Sequence, residues 1–197
     1  MHSLIIFASG RGSNAQAIID YFKQKPIARV ALIISNKADA GVLDIAKKEH
    51  IPFLIINRHS FHEALLISQI NQYKPSLIIL AGFLWKVPET LIHAFRNKII
   101  NIHPALLPDH GGKGMYGHHV HNAVIASGKK ETGITIHYVD EVYDSGDVIV
   151  QARCPVSSAD VAESLAARVH QLEHFFFPRT IDFLLQGNLK SDGANAI

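Results

Sequence analysis

The chain is poor in the residues that announce covalent crosslinks or membranes. Its 197 residues include one cysteine, one tryptophan and two methionines, and the formal charge is only +2. The lone Cys154 cannot close an intrachain disulfide or build a thiolate zinc cluster, so a reducing, cytoplasmic setting is the simplest expectation. No apolar run approaches the roughly 18 residues of a membrane helix. The opening "SLIIFASG" (3–10) lacks the basic stretch of a secretory leader, so no membrane partner is expected. Basic residues are scattered, with Lys47–Lys48 and Lys129–Lys130 the densest pairs and no aromatic interleaving, which gives no reason to expect nucleic acid. A small anion remains possible, because a few backbone donors hold one without a basic surface. An apolar share of 48% and a charged share of 18% fit one soluble domain with a sizeable core. What the chain has in excess is histidine, 13 in all.

Short apolar runs alternate with helix-like segments. "LIIF" (4–7), "VALIIS" (30–35), "FLII" (53–56), "LIILA" (77–81) and "KIIN" (98–101) show no polar alternation, as strands buried on both faces should not. "NAQAIIDYF", "GVLDIAKKE", "SFHEALLISQINQY" and "PETLIHAFR" between them have apolar spacing near 3.6. Ser60 with Glu63 has capping-box spacing, and Pro88 suits a helix start. Five such steps in the first hundred residues predict an α/β fold with a doubly wound, mostly parallel sheet. After residue 101 a glycine- and proline-rich loop (104–117) leads to a short helix, "HHVHNAVIAS". Two strand-like runs (132–139 and 147–156) around a hairpin-like turn then predict an antiparallel C-terminal addition. A long helix from about Ala159 follows, with Asp160 and Glu163 in capping-box spacing, and Pro178 is expected to kink or restart it.

The first strand runs into "SGRGSNAQA", where Gly10, Gly12 and Ala15 fit G-x-G-x-x-A. Glycines let the backbone approach a phosphate, and the next helix offers free N–H groups to it. The acid that would grip a ribose of a dinucleotide is absent: Asn36 occupies its place, with Asp39 displaced into the loop. A single phosphate on a small substrate therefore fits better than a nicotinamide cofactor or ATP, and a tight turn without a ligand is the alternative. Ser13 and Asn14 are placed either to cap the helix or to bind phosphate oxygens.

Ligands of an open parallel sheet sit beyond the carboxyl ends of its strands. Asn101 and His103 lie there after the fifth strand, and Pro104 restricts His103 to an extended backbone. Asp144, in the turn of "VYDSGD", folds back to the same edge. An amide donor, an imidazole and a carboxylate suit acyl transfer: the amide stabilises an oxyanion, the imidazole moves protons or polarises the carbonyl, and the carboxylate orients water or the imidazole. No serine or cysteine nucleophile stands beside them, which favours direct attack by a substrate amine. Cap and turn roles for the three are the bland alternative. His110, His118, His119 and His121 invite a metal reading, with His118 and His121 sharing a helix face, but a polar loop that closes over substrate is preferred and no metal is expected.

Six segments carry a resemblance: "SGRGSNAQAII" (9–19), "SNKADA" (35–40), "LAGF" (80–83), "NIHPALLP" (101–108), "YDSGDVI" (143–149) and "RVHQLEHFFFP" (168–178). In this order they resemble the folate-dependent formyltransferase family, in its phosphoribosylglycinamide formyltransferase branch. The resemblance implies a Rossmann-like fold and one formyltransferase domain over 1–197. Within it, 1–101 is a phosphate-binding half, 102–187 a catalytic and folate-binding half, and 188–197 a loose tail. It implies 10-formyltetrahydrofolate as co-substrate, glycinamide ribonucleotide as acceptor, and a monomer or homodimer. Asn101, His103 and Asp144 match the family's catalytic positions. Gly12, Ser13 and Asn14 match its phosphate loop, and Glu173 the contact to the ribose side of the substrate. The folate pocket maps to Leu84, Trp85, Val87, Asn101, Val139 and Asp140, with Arg58 near the folate tail. Trp85 stands where relatives commonly carry a cation, and the loop "DHGGKGMYGHHVHNA" (109–123) is longer and richer in histidine than theirs, with His118 or His119 matching the usual loop histidine. A formyltetrahydrofolate deformylase and a non-catalytic phosphate-binding module are the alternatives.

Overall fold

The structure, a computed structural model, describes residues 1–188. Seven strands form one sheet: β1 (His2–Phe7), β2 (Ala28–Ser35), β3 (Phe53–Ile55), β4 (Leu77–Leu80), β5 (Ile99–His103), β6 (Glu131–Tyr138) and β7 (Val148–Pro155). Their order is β3-β2-β1-β4-β5-β6-β7. The first five pair in parallel, and β6 and β7 add antiparallel strands beside β5. Among the described residues the α-helices are α1 (Ser13–Gln24), α2 (Gly41–Lys48), α3 (Ala64–Gln72), α4 (Glu89–Ala94), α5 (His118–Ala126) and α6 (Ala162–Phe183).

The absence of polar alternation in the central strands has a direct cause. Leu4, Ile6, Ile33, Ile79 and Ile100 point into one core, against α1, α2, α5 and α6. Ile5, Phe7, Ile34, Ile78 and Leu80 point into the other, against α3 and α4. Successive side chains serve opposite faces, and both faces are covered. The edge strand β3 departs from this expectation: Phe53 is 40% and Ile55 47% exposed, because no strand and little helix covers the outer margin.

Both expected capping boxes are replaced. Asn57 takes the turn before α3: its Oδ1 accepts the N–H groups of His59 and Ser60, and Ser60 Oγ accepts the N–H of Asn57. A 3₁₀ turn over Ser60–His62 results, and α3 starts only at Ala64. Before α6, Ser164 Oγ rather than Glu163 accepts the Val161 N–H, and Asp160 pairs with Arg168. Helix α6 runs through Pro178 without restarting. In each case a nearer short polar side chain satisfies the free N–H first. The tail expectation falls, for residues 189–197, outside the described residues.

The strand order reverses between β1 and β4, which opens a crevice at the carboxyl ends of β1, β4 and β5.

Candidate active site

A cleft of about 670 Å³ fills that crevice. One wall is the turn from β1 into α1. Gly12 has φ +84, and a Cβ on it would meet Val42 at 2.8 Å and Ile45 at 2.9 Å. Glycine here serves the packing of α2 as well as close approach to a ligand. No side chain caps α1, so its first N–H groups face the cleft mouth unpaired by side chains. Asn14 instead donates from Nδ2 to Glu173 Oε2 at 2.9 Å, tying α1 to α6 across the cleft. Glu173 is 5% exposed, and burial raises its pKa despite the bond from Asn14. Asn36 is turned inward: it accepts a 2.6 Å bond from Ser9 Oγ, which itself accepts the Leu84 N–H.

The opposite wall carries Leu84, Trp85, Val87, Val139 and Asp140. Trp85 packs on Phe61 and Phe83. Arg58 lies outside the cleft lining and stacks its guanidinium 4.3 Å above the Trp85 ring. The Asp140 carboxylate is engaged in its own turn, accepting from the Val142 N–H and Ser145 Oγ, so this residue meets the cleft without a free carboxylate.

Asn101, His103 and Asp144 converge at the floor. Strand β5 is paired on both sides, which holds the first two firmly. His103 is 3% exposed; its Nε2 lies 2.8 Å from the His110 carbonyl, and its Nδ1 lies 3.6 Å from Asp144 Oδ2. A carbonyl can only accept, so Nε2 carries the proton and Nδ1 is bare in the neutral ring. Burial lowers the His103 pKa, and Asp144 and the His110 carbonyl only partly oppose it, so the site favours the neutral imidazole. Burial would raise the Asp144 carboxyl, yet it lies below its ordinary value, and the Gly112 N–H donating to Oδ2 at 2.8 Å is the hydrogen bond that favours the carboxylate.

His137 escaped the sequence reading. It is 2% exposed, and its Nδ1 lies 2.7 Å from the Tyr138 carbonyl, which makes Nε2 an acceptor in the neutral ring. Asn101 Nδ2 donates to that nitrogen at 3.1 Å, which orients the amide and leaves its second N–H free. Asp144 Oδ1, at 3.7 Å, is too far for a hydrogen bond. Only the antiparallel register, which sets Asn101 opposite His137, reveals the pair.

The loop histidines separate. His121 is 2% exposed and lines the cleft, while His118 and His119 lie on the exposed side of α5. Burial, and then His170, His118 and His103, push the His121 pKa down to about 4. Among the described residues no three His, Cys, Asp or Glu side chains gather as a metal site would require.

A model of the formyl transferase family matches residues 2–181. A phosphoribosylglycinamide formyltransferase of Bacillus subtilis is 36% identical over 98% of this chain and 100% of its own length. This chain belongs to the formyl transferase family. A chloroplastic phosphoribosylglycinamide formyltransferase of Vigna unguiculata is 37% identical, and the chain spans 65% of that relative's length. The crystal structure of glycinamide ribonucleotide transformylase 1 from Symbiobacterium toebii superposes with a TM-score of 0.88 at 32% identity, covering 98% of this chain and 92% of that one. The formyl transferase fold thus accounts for the parallel sheet with its antiparallel end. No helix among the described residues is long and apolar enough to cross a membrane.

Proposed function

We propose that this chain transfers the formyl group of 10-formyltetrahydrofolate to the amine of glycinamide ribonucleotide, a step of purine synthesis, within a single domain. Family membership and full-length similarity to a phosphoribosylglycinamide formyltransferase support the reading. The observation that carries it is the arrangement of the cleft. A glycine turn with free helix N–H groups lies at one end and an aromatic and aliphatic wall at the other, with Asn101, His103 and Asp144 between them.

The substrate phosphate sits on Gly12, Ser13 and Asn14, and Glu173 takes a hydroxyl of its ribose. The folate lies along Leu84, Trp85, Val87 and the 139–140 segment, with Arg58 at its tail. The amine attacks the formyl carbon, and the free N–H of Asn101 donates to the developing oxyanion. The amine proton passes to the His103–Asp144 pair. Nδ1 of His103 is bare and faces the carboxylate, so the imidazolium forms beside a negative charge and adds to oxyanion stabilisation. The same proton then goes to the leaving folate nitrogen. Charged His103 is thus created during the reaction, since burial favours the neutral ring before it.

The decisive assay offers the purified protein 10-formyltetrahydrofolate with glycinamide ribonucleotide, water or methionyl-tRNA as acceptor. Transfer to glycinamide ribonucleotide is expected to dominate. Release of formate alone would favour a deformylase, and no turnover with ligand binding intact a non-catalytic module. A cytoplasmic location and a monomer or homodimer complete the proposal, and fractionation and gel filtration test them.

A further inference from the structure

We propose that the backbone of His110–Gly112 is a positioning element for His103 and Asp144, acting through one carbonyl and one N–H; the inference rests on the reaction proposed above. The His110 carbonyl accepts from His103 Nε2 at 2.8 Å, and the Gly112 N–H donates to Asp144 Oδ2 at 2.8 Å. Two residues apart on one loop, these groups hold both members of the proton-transferring pair. The contact depends on unusual backbone at both ends: φ is +54° at His110, +95° at Gly112 and +55° at Asp144. Histidine and aspartate are among the few non-glycine residues that visit this region with some frequency.

Gly111 fits the same purpose. A Cβ there would lie 2.6 Å from Leu107 Cδ2, which can turn aside, and 3.3 Å from the Asp144 Cβ, so a side chain would press on the aspartate itself. The His110 imidazole, by contrast, contributes nothing to the contact: its Nε2 is buried without a partner. The contact to His103 is made by the His110 backbone. By taking the Nε2 proton, its carbonyl fixes the tautomer that leaves Nδ1 bare toward Asp144, while His137 on β6 faces the same carboxylate from the other side.

The test compares Gly112→Ala with Gly128→Ala. Both glycines have positive φ, +95° and +65°, and at both a Cβ would enter open space, so neither variant adds a clash and only Gly112 touches Asp144. Gly112→Ala is expected to lower kcat about tenfold with KM nearly unchanged. Alanine keeps the N–H but is strained at φ +95°, so the loop shifts and the bond to the carboxylate lengthens; the Asp144 pKa then rises and the acid limb of kcat moves up by roughly one pH unit. Gly128→Ala should only melt earlier. A kcat and acid limb in Gly112→Ala equal to those of Gly128→Ala would overturn the inference. If Gly112→Ala does not fold, a second pair decides: His110→Val, whose branched side chain opposes positive φ, should lose kcat, and His110→Gly should keep it. Equal rates in the two count against the proposal. A readout without substrate separates this inference from the reaction. In ¹⁵N-histidine spectra of the unsubstituted protein, assigned with His103→Ala, His103 should carry its proton on Nε2. A proton on Nδ1 instead would overturn the positioning role. The Nε2 form in a protein that transfers no formyl group would support it and remove only the proposed reaction.

Discussion

The tip of β5 and the loop that follows it meet the same cleft and are held in different ways. At the tip, Asn101 and His103 belong to a strand paired with β4 on one side and β6 on the other. Their backbone is set by the ladders, that of Asn101 by both neighbours and that of His103 by β6. The loop at 104–117 has no ladder. Its inner turn is held by hydrogen bonds to the very side chains that do the proposed chemistry, Gly112 to Asp144 and His110 to His103. Its root hangs on Thr135. The comparison teaches that the sheet places the amide and the imidazole, whereas loop and reacting groups order each other.

Removing the reacting groups should have the largest effect and should expose the asymmetry. His103→Ala and Asp144→Asn are each expected to lower formyl transfer by roughly 10²–10⁴-fold, the usual worth of positioned acid–base groups. His103→Ala should leave β5 intact, since the ladder holds it. Asp144→Asn keeps an acceptor for Gly112, whereas His103→Ala removes the partner of the His110 carbonyl outright, so the loop should loosen more in His103→Ala, read as faster proteolytic cleavage within 109–117. Wild-type rates in both variants would remove the proposed roles. Cleavage no faster in either variant than in the unsubstituted protein would erase the contrast between strand tip and loop.

A smaller effect is expected at His121, which anchors α5 just beyond the loop. Its pKa falls from 6.5 to about 4 in the folded protein, chiefly by burial. The unfolded chain therefore binds a proton there between these values while the folded chain does not. Its contribution to stability is complete above about pH 6.5 and is lost as pH falls toward 4, by roughly 3 kcal/mol at most. His121→Leu, close in size and without a proton to gain, should flatten the fall in unfolding free energy over that window by denaturant titration. An unchanged slope would mean that His121 is not buried as a neutral ring.

These regions also differ in how far they could be read in advance. The strands of the parallel half are legible because both faces are buried, so nothing polar interrupts "LIIF" or "LIILA". Asn101, His103 and Asp144 stand out as polar residues where a buried strand ends or a turn begins, and the structure brings them together. His137 is hidden because a lone histidine in an apolar strand has no local signal, and its partner lies 36 residues away. The cleft histidine of α5 depends on which helix face docks, which spacing alone does not decide among His118, His119 and His121. The caps failed for a related reason: several short polar side chains near each helix start compete, and only their final geometry selects Asn57 and Ser164.

Thr135 joins the two regions and gives the finest test of the contrast between them. It is fully buried on β6, opposite His103 in the antiparallel register. Its hydroxyl donates to the Ala105 carbonyl at 2.7 Å and accepts the Leu107 N–H at 2.9 Å and Gln151 Nε2 at 3.0 Å. One oxygen thus satisfies the root of the loop as it leaves β5. Thr135→Val keeps the shape and leaves a buried carbonyl and a buried N–H without this partner, at a cost of about 1–3 kcal/mol in unfolding free energy. Because β5 and β6 remain paired, the amide and imidazole should stay in place, and kcat should fall by less than tenfold. A loss of activity as large as that of His103→Ala, with stability unchanged, would show that the strand tip depends on the loop root, and the separation between a placed strand and a mutually ordered loop would fail.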